Sequence, residues 1–184
     1  MKSPLFLCFF LTGFLADQVT KSWAQRNGDD LRIDPILVLD WLDGPEAFLE
    51  FTYVTNPGAA WSMFSDYPEV LTVLAGLALV GIFVFRRQLE LDIREPQMIF
   101  GAISSGIAGN FWDRVFRTPR EVVDFIDVFL PVVDYDYPVF NLADSFIFVG
   151  VICFVVRGFR ESARERAEER SRDVDEDLKD DKPA

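Results

Sequence analysis

Four apolar runs, residues 5–16, 70–85, 98–112 and 139–156, alternate along the chain with strongly polar stretches. A helix rises about 1.5 Å per residue, so about 20 residues cross a hydrocarbon core about 30 Å thick. Each run reaches that length only when its semipolar ends are counted. Such ends are expected of membrane helices that carry functional groups at one rim. The pattern predicts an α-helical integral membrane protein with four transmembrane helices. The first run, preceded by Lys2, also has the outline of a secretory signal peptide. It continues as Asp17-Gln18-Val19-Thr20-Lys21-Ser22-Trp23 with no small-residue cleavage pattern, which favours a retained helix.

The segments between the runs have their own periodicity. Residues 48–54 are aromatic and β-branched with partial alternation, and residues 122–130 share that character, so both read as strands of a small sheet resting on the outer interface. Asn56-Pro57-Gly58 supplies a turn, and residues 59–64 lead back toward the membrane. Trp41, Trp61 and Trp112 suit an interfacial belt. In the third run Gly101, Ser105 and Gly109 recur every four residues, as do Ala102 and Gly106, which lets membrane helices approach closely.

Composition narrows the function. A net charge of −12 argues against nucleic acid, which needs a basic surface. Cys8 and Cys153 fall inside apolar runs and read as inert thiols. The spacing of Asp127, Asp134 and Asp136 matches no calcium loop, so no metal is expected. Residues 1–160 form the membrane domain. Residues 161–184 alternate Arg and Glu and then turn acidic, which predicts a frayed helix running into a disordered, solvated tail.

Lys2, Arg86, Arg87 and Arg94, and Arg157, Arg160 and Arg164 flank alternate helix ends, so the positive-inside rule places those ends and both termini in the cytoplasm. Residues 22–68 and 113–138 then face outward. Arg114, Arg117 and Arg120 break the rule, which invites a binding role for at least one. Under this topology Asp17, Asn110, Asp113 and Asp144 all reach the outer rim, beneath loops that carry Asn56 and Asp124. Ionisable groups at a bilayer are costly and are functional candidates for that reason. With no histidine in the chain, a pair of carboxylates is the first candidate for acid–base chemistry.

Each element also has a structural reading. Asp17 and Lys21 are spaced as a helix ion pair. Asn141 and Asp144 are spaced as a helix cap. Asn110, Asp113 and Arg114 share a helix face, where an Asp113–Arg114 bridge could close the helix end. A small proton-coupled transporter subunit and a non-catalytic scaffold for lipidated peptides are the rival functions. Acids clustered at one rim, away from the midplane, disfavour the transporter.

Five motifs in order, Asp17-x-x-x-Lys21, Asn56-Pro57-Gly58-Ala59-Ala60-Trp61, Gly109-Asn110-Phe111-Trp112-Asp113-Arg114, Val122-Val123-Asp124-Phe125-Ile126-Asp127 and Phe140-Asn141-Leu142-Ala143-Asp144-Ser145, resemble those of signal peptidase II, the bacterial lipoprotein signal peptidase family. The resemblance covers residues 5–154. It implies four transmembrane helices, a small extracytoplasmic β-cradle and a short interfacial helix in the bacterial inner membrane. It further implies an aspartic dyad at Asp124 and Asp144, with Asn56, Asn110 and Arg114 on the substrate backbone and Asp17, Lys21, Asp113 and Asn141 in support. Substrates would be diacylglyceryl-modified prolipoproteins cut just before the lipidated cysteine, next to membrane lipids and without metal or cofactor. The chain departs from the family pattern at Ser105-Gly106, where a Gly-Gly pair is usual, in a longer acidic first loop over residues 29–46, and in its charged tail.

The basic flanks generate a topology prediction. A cysteine at Asp43 should label from outside intact cells, and one at Asp175 should not. External labelling at position 175 would overturn the orientation.

Overall fold

The computed structural model describes residues 3–39, 48–58 and 63–180, the last eight by their backbone. In chain order the elements are α1 (Pro4–Arg26), α2 (Gly28–Ile33), β1 (Ile36–Leu39), β2 (Leu49–Asn56), α3 (Pro68–Val84), α4 (Arg94–Phe116), β3 (Val122–Leu130), β4 (Tyr135–Phe140) and α5 (Leu142–Asp180). Trp41, Trp61, the acidic residues between 40 and 46, and the segment returning from Asn56-Pro57-Gly58 over residues 59–62 lie outside the described residues.

The helices carry their polarity inside out. Along α1, Leu7, Leu11, Leu15 and Val19 recur every four residues and are all exposed. The opposite stripe, Gly13, Asp17, Lys21 and Ala24, is buried. In α3 no residue is buried, and Val70, Val73, Leu77, Val80 and Phe83 all face outward. A surface of this kind is stable only against lipid or another apolar phase. Among the described residues one helix, the stretch Leu142–Arg172, is by itself long and apolar enough to cross a membrane, and α3 is a shorter apolar helix. The remaining long helices fall short because they give interior positions to polar and small residues.

Helix α4 is the centre of the bundle, with Ile99, Phe100, Ile103, Ser104, Ser105, Gly106 and Gly109 among its buried residues. The small-residue stripe serves as its spacing predicts. A Cβ on Gly101 would lie 2.8 Å from the Phe6 carbonyl oxygen of α1, and one on Gly106 would lie 2.2 Å from that of Ala143 in α5. From α1, Gly13 meets Ser105 in the same way. The missing side chains let three backbones close around one polar layer. At the other end of the bundle Arg157 of α5 pairs with Glu90, Glu161 and Glu95, and Ser3 donates to the Leu91 carbonyl.

The four strands form one antiparallel sheet in the order β1-β2-β3-β4. The predicted strand at 122–130 matches β3, and the one at 48–54 extends two residues further, to Asn56. Strands β1 and β4 are additions. The run 139–156 is divided, its first residues completing β4 and the rest starting α5 after Asn141. Beneath the sheet Ala24, Leu31, Tyr53, Val123 and Phe125 make a small core that binds it to α1 and α2. Beyond the bundle α5 continues without a break to Asp180. Its alternating Arg and Glu residues are spaced to support a helix in water.

Gly106 tests the close packing. Gly106→Ala should destabilise the protein by about 1–3 kcal/mol, because the group it would strike is backbone. Gly81→Ala, which meets nothing within 4 Å, should be close to neutral. Detergent unfolding midpoints of the two variants would decide the matter, and equal midpoints would refute the packing role.

Candidate active site

The polar layer is built from five elements, α1, α4, β2, β3 and the start of α5. Helix α1 presents Asp17 and Lys21 one turn apart, so the predicted ion pair forms at 3.0 Å with both side chains fully buried. Helix α4 presents Asn110, Asp113, Arg114 and Arg117 on one face. The Asp113–Arg114 bridge does not form. Asp113 lies instead 2.9 Å from Lys21 and 2.8 Å from Arg117, one turn further on. Two acids thus meet two bases, and the cluster is neutral as a whole. Gln18 bridges it, its amide nitrogen donating to Asp17, Asp113 and the Gly109 carbonyl while its oxygen accepts from Arg117. Gln18 and Arg117 are supporting residues that motif reading passed over. The i,i+4 spacing of Asp113 and Arg117 was the available signal.

Asp124 comes from the sheet. It stands opposite Val54 in β2, which puts Asn56, two residues on, on the same face. The Asn56 Nδ2 donates to Asp124 Oδ2 at 3.1 Å, while its own Oδ1 accepts the Gly58 N–H at 2.9 Å. The turn chemistry of Asn-Pro-Gly therefore also orients a side chain.

Asp144 comes from the start of α5. The Asp144 N–H donates to Asn141 Oδ1 at 3.0 Å, and the Asn141 N–H donates to Asp144 Oδ2 at 3.2 Å. This reciprocal pair is the predicted cap. It does not exhaust Asp144, whose Oδ1 accepts from Asn110 Nδ2 at 2.7 Å. Asn141, fully buried, also donates through Nδ2 to Asp124 Oδ1 at 2.6 Å. One asparagine thus holds both acids. The Asp17 carboxylate in turn accepts the Ala143 N–H at 3.0 Å, anchoring the first turn of α5 to α1.

Asp124 and Asp144 line one cavity of about 640 Å³. Its polar end also carries Asn56, Asn110 and Arg114. Its apolar end lies between α3 and α5, lined by Leu71, Leu74, Ile147 and Phe148 among others. Arg114 sits in the field of both acids and donates to the Gly58 carbonyl at 2.7 Å, while its buried Nε has no partner. Asp124 is 3% exposed. Burial first, and then the neighbouring Asp144 charge, push its carboxyl up to about 7, against the hydrogen bonds from Asn56 and Asn141. All nine predicted site residues therefore belong to one connected layer. Asn56, Asn110, Arg114, Asp124 and Asp144 line the cavity, and Asp17, Lys21, Asp113 and Asn141 lie behind it.

This order of residues on this fold has known counterparts. The model of the family described as signal peptidase (SPase) II matches residues 9–160.

The chain belongs to the signal peptidase II family.

It is 37% identical over 165 residues to a lipoprotein signal peptidase of Acaryochloris marina, covering 89% of this chain and 93% of the relative. It is 33% identical over 144 residues to that of Clostridium acetobutylicum, covering 78% and 86%. A bacterial membrane enzyme structure obtained by the in meso method at 2.3 Å resolution superposes with a TM-score of 0.71 at 28% identity, over 86% of this chain and 90% of that one. Membership makes this signal peptidase II relative a protease embedded in a bacterial membrane. The transporter and scaffold readings are not favoured.

The raised Asp124 carboxyl has a consequence for stability. Its ordinary value is 3.8 and its folded value about 7. Folding thus favours the protonated form, and the associated stability, complete below pH 4, is lost as pH rises to 7. The unfolding free energy of the parent minus that of Asp124→Asn should fall by about 4 kcal/mol between pH 4 and pH 8. A difference independent of pH would show that Asp124 titrates normally.

Proposed function

We propose that this chain is an intramembrane aspartic endopeptidase that removes signal peptides from diacylglyceryl-modified prolipoproteins, cutting just before the lipidated cysteine. The observation that carries the reading is the pair of acids, one buried and titrating near neutrality beside the other, on a cavity with one polar and one apolar end. Four helices span the bacterial inner membrane, with both termini cytoplasmic and the sheet and acids at the outer leaflet. Residues 1–160 carry the activity, and the charged tail lies across the membrane from it.

The chemistry follows from the pair. Two close carboxylates do not readily ionise together, so they share one proton. Asp124 holds it below neutrality. Asp144, which accepts N–H donors from Asn110 and Asn141, takes a proton from the attacking water as general base. Asp124 gives its proton to the scissile carbonyl oxygen as the tetrahedral centre forms. Collapse of that centre breaks the C–N bond, the proton held by Asp144 passes to the leaving amine, and a hydroxyl proton of the centre returns to Asp124 as the new carboxyl group forms. Arg114, Asn56 and Asn110 hold the substrate backbone. The lipid chains confine the substrate to the bilayer, which is why the acids belong at its rim. The reading calls on no metal, cofactor or covalent intermediate.

Purified protein should cleave a diacylglyceryl-prolipoprotein and leave the unlipidated control intact. Asp124→Asn and Asp144→Asn should each fold and each lower turnover by about a thousandfold or more, with the double variant little worse. An active Asp124→Asn together with a misfolded Asp144→Asn would leave Asp144 as a cap and end the aspartic assignment.

Arg114 offers a second test. Arg114→Lys keeps the charge but loses the planar set of donors, so it should cost about tenfold or more in kcat/KM. Arg120→Lys should be silent, and equal activity in the two would return Arg114 to a structural role.

A further inference from the structure

Three asparagine amides face the two acids, and in each the oxygen end is already committed. Asn56 Oδ1 is held by the Gly58 N–H and Asn141 Oδ1 by the Asp144 N–H, both main-chain donors. Asn110 Oδ1 is held by two side chains, closely by Lys21 Nζ at 2.8 Å and more distantly by Asn141 Nδ2 at 3.3 Å, whose two hydrogens are shared with the Val123 carbonyl and Asp124. An ammonium has donors and no acceptor, so the Asn110 atom that meets it is oxygen. The nitrogen at the other end of that amide then points at Asp144, 2.7 Å away. Lys21 has no freedom to turn elsewhere, because Asp17 and Asp113 hold it at 3.0 and 2.9 Å and its side chain is fully buried.

We propose that Lys21, which hydrogen-bonds to neither acid, is a positioning residue: it sets the polarity of the Asn110 amide so that Asp144 always meets an N–H and never a carbonyl oxygen. The proposal rests on the reading that Asp144 works as the general base of the pair. A reversed amide would set the Asn110 oxygen against that carboxylate and disfavour its charge. Asp144 is also faced by Arg114 of α4 and Asp124 of β3. Lys21 of α1 and Asp113 of α4 stand one hydrogen bond further back. Loss of Lys21 removes a neighbouring positive charge as well, so the test must separate a route through Asn110 from a general loss of charge.

The experiment is a double-mutant cycle on cleavage of a diacylglyceryl-prolipopeptide, with Lys21→Met, Asn110→Ala and the double variant, each taken through a full pH curve. Lys21→Met should lower kcat by about tenfold or more with KM changed by less than about twofold, and should move the acid limb upward by about one pH unit. In the Asn110→Ala background the same change should add less than about twofold. An equal loss in both backgrounds, or an acid limb that stays in place, overturns the proposal. If Lys21→Met alone does not fold, every arm carries Asp17→Asn, which removes acid and base together and leaves Asp113 paired with Arg117. Asp124→Asn and Asp144→Asn in the same assay separate the two levels. Activity in those variants sinks the two-acid reading itself, whereas their inactivity with an additive Lys21 effect sinks the positioning role alone.

Discussion

Everything at the site depends on burying charge at no net charge. Asp17, Lys21, Asp113 and Arg117 meet between α1 and α4, the first three with side chains shut off from solvent. A lone charge there would cost many kcal/mol, and removing one partner of a buried pair typically costs about 3–5 kcal/mol. Two acids with two bases avoid that cost only when every hydrogen-bonding position is filled. Gln18 fills the remainder. The close approach that makes such distances possible comes from Gly13, Gly106 and Gly109, where a side chain would intrude on a neighbouring helix.

From this neutral cluster the order of the site propagates outward. Asp17 holds the first turn of α5 through the Ala143 N–H, Lys21 holds Asn110, and Asp113 accepts the Val123 N–H of β3 at 3.4 Å. The two acids therefore sit on different elements, sheet and helix start, that are tied to one base layer. Capping does not use up Asp144, because a carboxylate has two oxygens. One closes the helix end and the other faces the cavity. A carboxylate at a helix N-terminus is also favoured by the helix dipole.

The fold arranges its polarity to suit this. Apolar side chains of α1 and α3 point outward, and the interior of the bundle is given to small and polar groups. A protein in water would reverse that arrangement. This is also why hydropathy alone identifies α5 more clearly than α1 and α4, which lose apolar positions to the site.

Much of this was legible in the chain. The four helices, the strand at 122–130 and the Asp17–Lys21 pair follow from periodicities of 3.6 and 2 and from i,i+4 spacing, which are local properties. So was the gathering of Asp17, Asn110, Asp113 and Asp144 at one level, since alternation of basic flanks sets the direction of each helix. The partners of Asp113 were legible in part: Arg117 follows it at i,i+4, whereas Arg114 is the next residue and points elsewhere, and only the packing of α1 against α4 brings in Lys21. Strands β1 and β4 were hidden for a similar reason. Ile36–Leu39 is short and fully apolar, and Tyr135–Phe140 merges into the next apolar run, so each becomes a strand only when a neighbour supplies its hydrogen bonds. Residue type and spacing determined which groups could do chemistry. The direction of each amide and the raised carboxyl of Asp124 belong to the tertiary structure, because both depend on burial and on donors distant in sequence.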